Sequence, residues 1–130
     1  MTPVGVELDA AVLKAMGWTH HPRIGGEGAY WRERFDSPNG CQSRFMDMPD
    51  ERDYFSTDPN GHEALRLCGA WLTERMEAWH IHYWQVPSGK NLYGCTGRSK
   101  STQRLYEVGG ATRAEAIARL VLAVAEREGT

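Results

Sequence analysis

Between Ala78 and Val86 the sequence runs Trp79-His80-Ile81-His82-Tyr83-Trp84, bulky at every position and alternating with period two. In an extended strand successive side chains point to opposite faces, so Trp79, Ile81 and Tyr83 share one face and His80, His82 and Trp84 the other. Such a stretch is expected as the central strand of a sheet, with its Trp79–Ile81–Tyr83 face under a helical layer. Two segments have the period to supply that layer. Leu65, Leu67, Cys68, Trp71 and Leu72 form one stripe, and Ile117, Leu120, Val121 and Val124 another.

The second of these stripes opens on Thr112-Arg113-Ala114-Glu115. That is a capping box, in which the threonine hydroxyl accepts from the helix start and the glutamate reaches back. Asp58-Pro59 places an acceptor and a proline before the middle helix, which is expected to end near Arg75. Leu8, Val12, Leu13 and Met16 lie on one face of a first helix, stopped by Gly17, with Trp18 folding back on it. From Thr19 to Pro49 the chain is rich in turn residues. Ala29 to Arg32 and Gln42 to Met46 are the expected strands there, joined as a hairpin through Asn39-Gly40, while Arg32 to Phe35 fits either state. After Val86, a turn at Pro87 to Asn91 leads to a returning strand at Leu92 to Thr96. Gly97 to Thr102 is expected as a loop, and a last strand around Gln103 to Val108 is closed by Gly109-Gly110. The fold class is α+β: three helices packed on a small antiparallel sheet in one domain spanning residues 1–130.

Composition agrees with a folded domain, at 41% hydrophobic and 25% charged residues. Fifteen Lys and Arg against 17 Asp and Glu leave a net charge of -2, which argues against general nucleic-acid binding. The longest apolar run, Leu120 to Ala125, is far below the ~20 residues of a membrane span. Glu7, Asp9 and Lys14 interrupt any signal-like opening. Cys41, Cys68 and Cys95 are odd in number and lack a CxxC, so the default is a reducing compartment without a disulfide framework.

Several short motifs occur in a recognisable order: Met16-Gly17-Trp18-Thr19, Tyr30-Trp31, Phe55-Ser56-Thr57-Asp58, Trp79 within a strand, and Gly110-Ala111-Thr112 leading into Glu115-Ala116-Ile117. In this order, from about Leu8 to Ala125, the chain resembles the phage ABA-sandwich domain proteins, small products of tailed phages and prophages. The resemblance implies an α/β sandwich made in the cytoplasm of an infected bacterium, and no established activity. The chain departs from that pattern after Trp31, where it runs on through Arg32 to Asp36. It departs again from Ser88 to Thr102, a longer and more basic loop than the family implies.

The residues Ala78 to Tyr106 hold Lys90, Arg98, Lys100 and Arg104 and no acidic residue, interleaved with Trp79, Tyr83, Trp84, Tyr93 and Tyr106. Cations neutralise phosphate and aromatic faces stack on bases, so this mixture suits a nucleotide or a short single strand. The expected ligand site is Trp84, Lys90, Arg98, Lys100, Arg104 and Tyr106, with His80 and His82 beside Trp84. The plainer reading is that the aromatics fill the core and the cations are solvated. His80 and His82 could share a zinc, with His62, Cys95 or a carboxylate completing the shell, but no spacing brings further ligands to them, and no metal or other cofactor is expected.

The acidic run Asp47, Asp50, Glu51, Asp53 and Asp58 has no calcium-loop spacing and reads as a solvated loop. It also complements the basic segment and could meet it between subunits of a homo-oligomer. No GxSxG, GxGxxG or GxxxxGK[ST] is present, so an enzyme is not expected.

The leading expectation is a non-enzymatic phage protein of the bacterial cytoplasm that sequesters a small anionic, nucleotide-derived immune signal. A second reading, of a different class, is an interaction or structural module that binds a protein through its open sheet face. A metal-dependent nuclease is a distant third. Convergence of Trp84 with the cations favours the ligand; dispersal over a flat face favours a protein.

Overall fold

The computed structural model describes residues 6–21, 34–40, 43–45, 62–85 and 91–128. Helix α1 spans Val6–Ala15 and ends where Gly17 takes a φ of 88°, in the left-handed region that only glycine enters without strain. Gly17 N–H then donates to the Lys14 carbonyl and Trp18 N–H to the Leu13 carbonyl, both at 3.0 Å. This is the Schellman pattern, and it folds Trp18 back into the core as the sequence implied.

Three short strands follow: β1 Thr19–His21, β2 Arg34–Asp36 and β3 Ser43–Phe45, antiparallel in that order. The β2–β3 turn closes with Gly40 N–H donating to the Ser37 carbonyl at 2.9 Å. The Asn39-Gly40 hairpin is therefore present, with its first strand at Arg34–Asp36. The expected strand at Ala29 to Arg32 lies outside the described residues, as do the acidic run, Lys90, Cys41 and the Asp58-Pro59 start. Phe35 is fully buried and stacks on His20 with ring centroids 4.5 Å apart, tying this small sheet to the common core.

Helix α2 (His62–Arg75) passes directly into strand β4 (Met76–Gln85), which pairs with β5 (Asn91–Ser99), which pairs with β6 (Leu105–Gly110). Among the described residues the order in this second sheet is β4-β5-β6, so the expected central strand lies on its outside and β5 is the middle one. Strand β5 runs on through Gly97 to Ser99, residues expected as loop, because β4 and β6 pair with it on both sides and satisfy its backbone groups. Gly109 and Gly110 are the last two residues of β6, so the strand closes on this pair and includes it.

Helix α3 (Arg113–Glu128) packs against β5 and β6, α2 packs beside it, and α1 packs on α3. The capping box is formed. Glu115 N–H donates to Thr112 Oγ1 at 3.1 Å, and Glu115 Oε1 accepts from Ala111 N–H at 3.1 Å. The other carboxylate oxygen of Glu115 takes the Arg119 Nε–H at 2.7 Å, a pair with little exposure.

The helix-facing side of the second sheet carries Trp79 and Ile81 from β4, Cys95 from β5, and Tyr106 and Val108 from β6, all in or against the core. Trp79 lies over Gly69 of α2 and its indole N–H donates to Thr73 Oγ1 at 3.2 Å. Tyr83 was expected to be buried with them and is instead 50% exposed. Its row, Tyr83–Tyr93–Gly110, is level with the very start of α3, where Arg113 stands over Tyr93, so the body of that helix does not cover it.

Candidate interaction face

The opposite side of the β4–β5–β6 sheet bears no helix among the described residues. Cross-strand register sets its side chains in rows: Ala78–Arg98–Leu105, His80–Thr96–Glu107, His82–Gly94–Gly109 and Trp84–Leu92. Three large apolar side chains stand exposed on it, Trp84 at 46%, Leu92 at 39% and Leu105 at 59%.

Along β4 the rings form a continuous stripe. His80 and His82 have centroids 5.2 Å apart, and His82 meets Trp84 edge-on at 4.2 Å. The stripe is held by its neighbours on β5. His82 Nε2 lies 3.0 Å from Thr96 Oγ1, and the rings of His82 and Trp84 lean over Gly94. A Cβ at Gly94 would collide with His82 Cε1 and come within 2.7 Å of Trp84 Cζ3, so the absence of a side chain there makes the slot in which both rings rest. This role of Gly94 went unmarked in the sequence, where a glycine in a strand says only that something approaches closely.

The sequence-derived site residues are spread rather than gathered. Trp84 and Arg98 belong to rows six residues apart along β4, a separation of ~20 Å at strand rise. Arg98 is exposed, with Nη1 donating to the Gln103 carbonyl at 3.4 Å. Lys100 points the other way. Its ammonium donates to the Thr73 and Glu74 carbonyls at 3.4 and 3.3 Å, capping the last turn of α2. Arg104 sits in the β5–β6 turn and lines a depression of about 380 Å³ with Tyr106, Glu107, Glu126 and Arg127.

Tyr106 lies on the helix side, buried, with its hydroxyl donating to Glu128 Oε2 at 2.7 Å. That carboxylate is a hub the sequence gave no sign of: Ser99 and Ser101 hydroxyls also donate to Oε1, at 2.6 and 2.7 Å. Burial works to raise its pKa. The hydrogen bonds from Ser99, Tyr106 and Ser101 and the charge of Arg104 outweigh burial and hold it below the ordinary glutamate value. In turn, burial and the Glu128 carboxylate push the Tyr106 phenol up.

Other chemistry is sparse among the described residues. Burial pushes the Cys95 thiol up to about 12 and raises Cys68 as well, where neighbouring Cys95 and Asp9 add to it. Neither thiol is activated as a nucleophile or thiolate ligand. The described residues hold no group of three or more His, Cys, Asp or Glu placed to bind a metal ion. None of their helices is long and apolar enough to cross a membrane.

A scan against protein-family models, a search of curated proteins and a search of solved structures each return no match to this chain.

Proposed function

We propose that the protein is a non-enzymatic interaction module that engages a protein surface through the open face of its β4–β5–β6 sheet. One observation carries the reading: on a sheet face that no helix among the described residues covers, Trp84, Leu92 and Leu105 stand exposed beside a packed ring stripe. Tryptophan offers a large contact area with few rotors to immobilise, and it is over-represented among residues that dominate binding energy. The anionic-ligand reading needs Trp84 and the cations at one concave site. Their ~20 Å separation along the strands and the use of Lys100 as a helix cap favour a broad contact instead. The setting is that of the resembled phage family, the cytoplasm of an infected bacterium.

The test is a photo-crosslinking amino acid placed singly at Leu92, Leu105 and, as a control on α3, Glu126, in cells that express the protein. Discrete protein adducts from the two sheet positions and none from the control are expected. Adducts absent from both sheet positions would sink the reading. So would calorimetric binding of a linear or cyclic nucleotide below about millimolar that disappears when Arg98, Lys100 and Arg104 are neutralised together, each hydrogen bond to phosphate being worth about 1.5–3 kcal/mol.

A further inference from the structure

We propose that the free edge of β6, beside the last turns of α3, binds a short free peptide in extended form, as an added antiparallel strand. This edge lies across the sheet from the ring stripe, so the inference stands apart from the outer-face reading. Among the described residues no strand pairs with it. The β5–β6 ladder fixes which backbone groups it offers. Ser99 N–H donates to the Arg104 carbonyl at 3.0 Å, so those two residues form a hydrogen-bonded pair. Such pairs alternate along an antiparallel ladder, which makes Gly97–Tyr106 the next one and leaves Arg98–Leu105 and Thr96–Glu107 unbonded. The N–H and C=O groups of Leu105 and Glu107 therefore point away from β5, about 7 Å apart at strand rise. An outward row of alternating donors and acceptors is the complement of another extended backbone.

The depression of about 380 Å³ lies along this edge, near the lower end of the ~300–1,000 Å³ of ligand clefts. Four charged side chains line it, Arg104 and Glu107 from the β6 side and Glu126 and Arg127 from α3, while Ala123 adds only a methyl group. Among the described residues none of these four side chains has a hydrogen bond or ion pair. A strand antiparallel to β6 carries its carboxyl end past Leu105 to Arg104. Arg127 stands at the same end, since the charges of both guanidiniums reach the Tyr106 phenol. The amino end of a tripeptide then falls opposite Glu107. Its terminal charges meet partners of opposite sign, and its backbone meets the outward groups of Leu105 and Glu107.

The same lining argues against other occupants. Glu107 and Glu126 oppose a phosphate, and the two guanidiniums oppose a metal cation. An internal segment of a folded protein brings the backbone but neither terminal charge.

The probe is the tripeptide Val-Ala-Leu with both ends free, titrated by calorimetry and by amide chemical shifts of the nitrogen-labelled protein. A Kd below about 1 mM is expected, with the largest shifts at the Leu105 and Glu107 amides. Amidating the carboxyl end, acetylating the amino end, or Arg127→Gln should each weaken binding at least tenfold. The variant should keep the wild-type circular dichroism spectrum and melting. Methylating the leucine nitrogen of the probe, whose N–H meets the Leu105 carbonyl, should weaken binding as much. Methylating the alanine nitrogen, which points away from β6, should leave it nearly unchanged. No binding at about 10 mM overturns the inference. So does binding that survives amidation or leucine methylation, acetate binding as tightly as the peptide, or shifts confined to the outer face around Leu92. Each of these failures leaves the outer-face reading to its own crosslinking test.

Discussion

At Gly94 and Glu128 single residues decide what the surrounding structure can do. Gly94→Ala would press a methyl group onto His82 and Trp84, and overpacking of this kind costs about 1–3 kcal/mol. Chemical denaturation should show that loss, whereas Gly109→Ala, whose Cβ would meet the Tyr93 carbonyl oxygen at an ordinary contact of 3.5 Å, should be close to neutral. Glu128 holds Ser99, Ser101 and Tyr106 through one carboxylate. Replacing it with Gln removes the charged acceptor, and hydrogen bonds to charged groups are worth about 1.5–3 kcal/mol each before relaxation. Its folded pKa is lowered, so its stabilising contribution is present above the unfolded glutamate value and lost as pH falls through the folded one. The stability difference between wild type and Glu128→Gln should therefore be constant at neutral pH and shrink below about pH 4.3. A difference that grows on acidification would contradict the hub. None of this was readable in advance, because Ser99 and Ser101 meet Glu128 across 29 and 27 positions of sequence.

At the scale of elements the local signals were strongest at helix ends. The Thr112–Glu115 box and the Gly17 stop each formed with the hydrogen bonds their residue types imply. Thr112→Ala should destabilise the fold by about 0.5–2 kcal/mol, read from the thermal or urea midpoint, since it orphans the Glu115 N–H. Strand limits were less legible. Gly97 read as the start of a loop, yet it lies inside β5, whereas the Gly109-Gly110 pair does close β6 as its last two residues. A glycine weakens a strand by propensity alone, but pairing on both sides of β5 supplies a partner for each backbone group, and that outweighs the local preference. The polar stretch from Gly97 to Thr102 was expected as a loop. Its first three residues belong to β5, and the turn that follows is compact, with Gln103 at a φ of 61° and the Lys100 ammonium donating to the end of α2.

For the whole molecule, the sequence by itself determined the α+β class, the three helices, and the two faces of β4. Trp79 and Ile81 do pack toward the core, so Ile81→Asp should abolish soluble expression by directing an unpaired carboxylate there. A folded Ile81→Asp protein would mean that the faces are reversed. These features were legible because periodicity and capping act over a few residues, where the chain's geometry is fixed. Only the tertiary structure decided that β4 lies outside β5, that Tyr83 escapes the helices, that Tyr106 turns to Glu128, and that Trp84 stands at the opposite end of the sheet from Arg98. Each of these depends on which strand pairs with which and in what register. A strand's side chains alternate with period two whatever its neighbours, so the sequence names the face a residue occupies, and only the pairing says what stands beside it.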